Sequence, residues 1–261
     1  MPKEIEDAGT VLNLNDQRIE SLQYASKIAA KVDNSLVQDS YDLYHHAFVF
    51  SEDGNYGVIQ QGMNTRTRYA RRYHWLSENV VEFVEEPHSA ICCDKQESSV
   101  LDMTAKASRN ARKVSLDLVN DNPTRLRKYI GQRTLTDFKE LRMPSQRQLS
   151  EADLSSKVLQ QLKRAYEIQP ESHEELVSLH GVGAKTIRAL AFISELIYGA
   201  EPSRQDPMKY AFTAGGKDGF PYPINKEHYD ETTALLKTAI ENACLNDKER
   251  LLAIKMLHRL R

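Results

Sequence analysis

A chain of 261 residues, 40% hydrophobic and 28% charged, is long enough to bury one sizeable core or two smaller ones. No apolar run approaches the roughly 18 residues that span a bilayer, and the acidic, polar start "MPKEIEDAGTVLNLND" is unlike a signal peptide, so a cytoplasmic protein with no membrane partner is expected. Three cysteines, two of them adjacent at Cys92 and Cys93, give neither a disulfide framework nor a paired Cys-x-x-Cys zinc pattern, and a net charge of −2 excludes a uniformly basic nucleic-acid protein.

In chain order, Ile19, Leu22, Ala25, Ile28, Ala29 and Val32 recur at the three-and-four spacing of an amphipathic helix, with Asn15 or Asp16 as its cap. Two apolar runs then flank Asp53 and Gly54 in "HHAFVFSEDGNYGVIQQGMN", which predicts a β-hairpin. The stretch "MNTRTRYARRYHWLS" holds Arg66, Arg68, Arg71 and Arg72 with no acid, and aromatic rings are interleaved. Such a stripe is either a solvated face or a contact surface. Residues 76–102 reverse the sign, with Glu78, Glu82, Glu85, Glu86, Asp94, Glu97 and Asp102 against Lys95 alone, and "VVEFVEEPHSAICC" within them predicts a further short strand or two.

After Asp102 the strand signals fade and helices are expected, first over "TAKASRNARKVSLDLVN", then over 151–167, 171–179 and 184–198. A loop rich in Gly and Pro follows, then two closing helices. The predicted class is α+β: a helix plus a β-hairpin or small sheet over 1–103, a catalytic or interaction region, followed by an all-helical region over 104–261.

That helical region contains "LHGVGAKTIRAL". A P-loop would need glycine where Ala184 and Leu179 stand, and a dinucleotide fingerprint would need a preceding strand and a third glycine at Thr186. The pattern instead resembles, over 171–198, the helix-hairpin-helix motif of DNA-repair and replication proteins. The resemblance implies a turn that lets a phosphate approach the main chain, with amides opening the second helix as donors. Gly181, Val182, Gly183, Lys185, Thr186 and Arg188 are its candidate DNA contacts, against the plainer reading of a corner between two helices. Lys217, flanked by Gly215, Gly216 and Gly219, is expected either to add an anion-binding nest or to sit in a simple turn.

Candidate chemistry lies in the first half. Asp39, His45, His46, Gln60, His74, Glu85 and His88 are the candidate catalytic residues, because metal-assisted phosphodiester hydrolysis gathers carboxylates and histidines. Asp39, His45, Glu85 and His88 are the candidate ligands for Mg or Mn, and Arg71 and Arg72 would steer the backbone. Strand alternation limits the set: His45 and His46 face opposite ways, as do Gln60 and Gln61, and His46 with Phe48 and Phe50 is expected to face the core. Pro87 weakens a helical pairing of Glu85 with His88. Each histidine also has a structural reading.

Together "YHHAFVFSEDGNYGVIQQGMN", "ARRYHWLS", "FVEEPHS" and "GGKDGFPYP" resemble the domain of unknown function 763 family over most of the chain. The resemblance implies that the tyrosine, the histidines, the paired glutamines and the Arg-Arg-Tyr-His-Trp run belong to the site. It also implies a further stretch before the first helix, so the chain is expected to be a fragment or shortened member; an essential acid in that stretch would leave a DNA binder without a complete active site. The leading expectation is a DNA-processing protein, a metal-dependent nuclease gripping phosphates through the glycine corner. The rival is a non-catalytic DNA-binding or scaffolding module that recruits a repair or replication enzyme, and a third reading is a small-molecule enzyme with a purely structural corner.

Overall fold

Two helices open the chain, α1 (Pro2–Val11) and α2 (Asp16–Ser35), in a computed structural model that describes residues 2–121, 156–209, 226–243 and 246–258. Asn15 caps α2, its side chain accepting from the amide of Arg18 at 2.8 Å, which satisfies one of the orphan donors of a helix start. The buried stripe of α2 holds the six apolar residues that the spacing predicts, and with them Ser26 and Asp33. Helix α1 was not expected from the polar start; it buries only Ile5 and Gly9.

Strand β1 (Val37–Gln38) pairs with β6 (Leu101–Asp102) in a small ladder. Strands β2 (Asp42–Phe50), β3 (Tyr56–Met63), β4 (Ala70–Leu76) and β5 (Ala90–Cys92) form an antiparallel meander in that order. The hairpin turns at Asp53 and Gly54 as the sequence predicts. Strand β4 lies in the basic-aromatic stretch: Arg71, Tyr73 and Trp75 point inward and are buried, while Arg72 and His74 alternate outward.

Helix α3 (Arg109–Asn120), α4 (Ser156–Ile168), α5 (His173–Ser178) and α6 (Ala184–Tyr198) complete the first compact unit, Met1–Ala211. One core joins them to α2 and the sheet. Ile28, Val32, Val58, Trp75, Leu101, Val119, Leu162, Leu176 and Leu190 belong to a single buried cluster, so the expected regions 1–103 and 104–261 meet in continuous packing within this unit.

The second unit, Phe212–Arg261, contains α7 (Lys226–Asn242) and α8 (Asp247–His258). Asn246 starts α8 with a reciprocal cap: its side-chain Oδ1 accepts from the amide of Glu249 at 3.0 Å, and the Glu249 carboxylate accepts from the amide of Asn246 at 3.3 Å. Among the described residues no helix is long and apolar enough to cross a membrane. Gly215, Gly216, Lys217 and Gly219 lie outside the described residues.

Candidate functional site

Three doublets and the Tyr73-His74 step divide the sheet between two faces. Register places His46 opposite Gln60 and Gln60 opposite Tyr73 on the inner side, and His45 opposite Gln61 and Gln61 opposite Arg72 on the outer side. Each pair of neighbours therefore serves two environments, because successive strand residues point to opposite faces.

On the inner face the organising group is Asp33, a buried carboxylate from α2. Gln60 Nε2 donates to it at 2.5 Å, Trp75 Nε1 at 3.1 Å and His88 Nε2 at 2.5 Å. With its amide nitrogen committed to Asp33, Gln60 presents Oε1 to His46 Nδ1 at 3.0 Å, so Nδ1 is the donor. His46 Nε2 in turn lies 3.0 Å from Ser26 Oγ. Three buried donors converge on one carboxylate, and a second helix residue closes the chain. The arrangement fixes α2 on the sheet and leaves these polar atoms no partner to offer a substrate.

A second inner cluster surrounds Arg71, which is fully buried. Its guanidinium grips Asp206 through two bonds of 2.9 and 2.7 Å and Asp39 through one of 3.0 Å, with Cζ 4.6 Å from the centre of the Tyr41 ring. Tyr73 donates its hydroxyl to Asp39 at 2.7 Å. One cation thus faces two carboxylates out of water. Burial pushes the Asp39 carboxyl up to about 6, against the opposing pull of Arg71 and of the Tyr73 hydroxyl.

Glu85 occupies a third setting. Arg109 Nε donates to it at 2.9 Å and Arg112 closes a second bond from the other side, while Arg112 Nη1 also reaches the carbonyls of Met103 at 2.6 Å and Ala105 at 2.9 Å. Hydrogen bonding from Arg109 holds the Glu85 carboxyl below its ordinary range against desolvation, with the charges of Arg112 and Arg109 assisting. The four residues expected to share a Mg or Mn ion therefore stand apart in function: Asp39 on Arg71, Glu85 between two arginines, His88 on Asp33, and His45 exposed on the outer face. Among the described residues no three His, Cys, Asp or Glu side chains gather as a group that could hold a metal ion. These residues as placed do not fit the ion.

The glycine corner joins α5 to α6. Gly181 has φ +89°, which is what requires glycine there; a Cβ would also stand 2.2 Å from Gln161 Oε1 on α4, the end of a flexible side chain that could turn aside. Gly181→Ala is expected to lower stability by about 1–2 kcal/mol in urea unfolding, the cost of holding a non-glycine residue at a left-handed angle; an unchanged midpoint would remove that account. Carbonyls of the corner are held from behind. Lys31 Nζ donates to Leu179 O and Val182 O at 2.8 Å each, Gln38 Nε2 donates to Ala184 O at 2.9 Å, and Arg188 Nε donates to Gln38 Oε1 at 2.7 Å. Val182 and Thr186 are buried, whereas Lys185 is exposed beside the start of α6. No side chain caps that start.

On the outer face, His45, Gln61, Arg72 and Cys92 form one cross-strand row and Ala47, Ile59, His74 and Ala90 the next. Burial lowers the His74 pKa, with help from the charge of Arg72, which keeps the ring neutral near pH 7. Sequence reasoning passed over Asp33, Asp206, Lys31 and Gln38, whereas Tyr44 and Trp75 entered it only through the family resemblance.

A four-stranded antiparallel meander framed by helices, with a polar network on its inner face, defines an α+β protein. The chain belongs to the family of proteins of unknown function DUF763, which matches residues 1–224. No curated protein and no solved structure matches it.

Proposed function

We propose that this chain is a cytoplasmic DNA-holding protein of DNA repair or processing, which grips the phosphate backbone at the corner of α5 and α6 in the manner of a helix-hairpin-helix and presents the DNA to a partner enzyme. The observation that carries the reading is Gly183. Its φ of −149° is extended backbone open to any residue, and nothing among the described residues lies within 4 Å of where its Cβ would be. Neither conformation nor packing asks for glycine there, whereas close approach of a phosphate to the main chain does. The uncapped first turn of a 15-residue helix supplies amide donors and a positive dipole end, with Lys185 adjacent.

Holding is favoured over cutting because Asp39, Glu85 and His88 are engaged by Arg71, by Arg109 with Arg112, and by Asp33. Arg71, fully buried, is not available to a backbone either. The test is binding of labelled duplex and branched DNA by anisotropy over a salt series, with and without Mg, Mn or chelator. Wild-type affinity should fall linearly on a log-log salt plot, and Gly183→Val should weaken it about tenfold or more, the loss of one or two charge-assisted amide bonds. Unchanged affinity in that variant rejects the grip. Cleavage that vanishes in chelator and in His45→Ala would replace holding by a nuclease.

A further inference from the structure

The geometry points to a second nucleic-acid site that does not depend on the glycine corner: the outer face of the meander is a platform for a single-stranded segment, with Arg72 holding a phosphate and Tyr44 stacking a base. The sequence alone hides this face because its members alternate with the buried network. A register shift between Leu43 and His45 makes Tyr44 an extra residue, so that Tyr44 and His45 together stand against Gln61.

Gln61 then fixes two groups at once. Its Nε2 donates to the Tyr44 hydroxyl, and its Oε1 accepts from Arg72 Nε at 3.3 Å. Tyr44 remains 57% exposed, and no partner among the described residues takes the two terminal nitrogens of Arg72. A cation held by one nitrogen, with its fork free beside an oriented ring, is the pairing that a phosphate and the adjacent base require.

The surroundings agree in charge and polarity. His74 follows two residues after Arg72 on the same face, His45 lies beyond Gln61 in the same cross-strand row, Arg66 is exposed on the turn at the Met63 end, and Asp42 at the start of β2 is the carboxylate that strand register puts on this side. Ile59 and Val49 are 42% and 66% exposed, apolar surface suited to the faces of bases. A duplex keeps those base faces inside its own stack, whereas an unpaired strand offers both base faces and backbone.

The experiment measures anisotropy of a labelled single-stranded oligonucleotide and of its duplex, in DNA and RNA versions, with wild-type protein and with Arg72→Gln, Tyr44→Ala, Tyr44→Phe and Gly183→Val. Arg72→Gln and Tyr44→Ala should each weaken single-strand binding about tenfold while Tyr44→Phe retains it and duplex binding stays within about twofold. Gly183→Val should do the reverse. Single-strand affinity unmoved by both Arg72→Gln and Tyr44→Ala, or absent in the wild type, overturns the platform; loss of duplex binding alone in Gly183→Val, with that result, leaves the corner standing. Equal losses on both nucleic acids in every variant would mean one shared surface and would also overturn it.

Discussion

Arg71→Met is expected to destabilise the protein by about 3–5 kcal/mol near neutral pH, the usual consequence of removing one partner from a buried ion pair. The reason is local. Asp39 and Asp206 both lie out of water against the same guanidinium, and the side chains of all three are almost completely buried. Methionine fills much of the stem volume but leaves two carboxylates facing one another without a cation. The deficit should narrow as pH falls. In the wild type Asp39 already titrates near 6 through burial, opposed by Arg71, so the folded state binds its proton more tightly than the unfolded chain, whose value lies near 3.8. For a raised carboxyl the stabilising contribution is complete below the unfolded value and is lost as pH rises through the folded one. Without Arg71 the opposing pull is gone, the Asp39 carboxyl takes up its proton at higher pH, and the variant recovers more than the wild type between neutrality and about pH 5. Urea unfolding of both proteins at the two pH values reads this directly. A deficit that does not change with pH would place the damage in packing rather than in the charges.

That same cluster explains why part of the site escaped the sequence. Helix α2, the hairpin at Asp53 and Gly54, and the helices on either side of Gly181 are legible because local spacing and turn residues determine them. Strand β4 is not, since its inward positions begin with an arginine, and four arginines with interleaved rings read as a charged stripe. What makes an inward Arg71 tolerable is Asp206, 135 residues later in the chain, a pairing that no local pattern records. Asp33 did leave a trace. Ser26 and Asp33 are seven residues apart on α2 and fall on its apolar stripe, where a polar side chain requires buried partners. The adjacent histidines and glutamines were correctly separated onto two faces by the period of a strand, but that period cannot say which face meets the helix. Register answers it, through Gln60 against Asp33 on one side and Gln61 between Tyr44 and Arg72 on the other.

Lys31→Met should weaken duplex binding about tenfold although Lys31 lies behind the glycine corner rather than in its mouth. Its ammonium donates to Leu179 O and Val182 O, the carbonyls that begin and end the turn, while Gln38 takes Ala184 O. Burial draws the Lys31 pKa down, and nearby Lys27 adds to the effect, so holding a charge there is unfavourable unless the two carbonyls compensate it. Carbonyls drawn to the rear fix the peptide planes of the corner and therefore the direction of the amides that open α6. Methionine keeps the stem and removes both bonds, which should lower stability by roughly 1–3 kcal/mol and let the turn sample orientations in which those amides no longer converge. Two readouts separate positioning from general weakening. Amide exchange at Ala184, Lys185 and Thr186 should accelerate while that of Ile28 and Ala29 in the α2 core keeps to the global stability, and the salt slope of binding should stay near its wild-type value because no phosphate-contacting cation has been removed. A full loss of slope would make Lys31 itself a backbone contact. Tight binding by Lys31→Met with a loosened turn would show instead that the corner's geometry is not what DNA recognises, and would shift the grip to Lys185 alone.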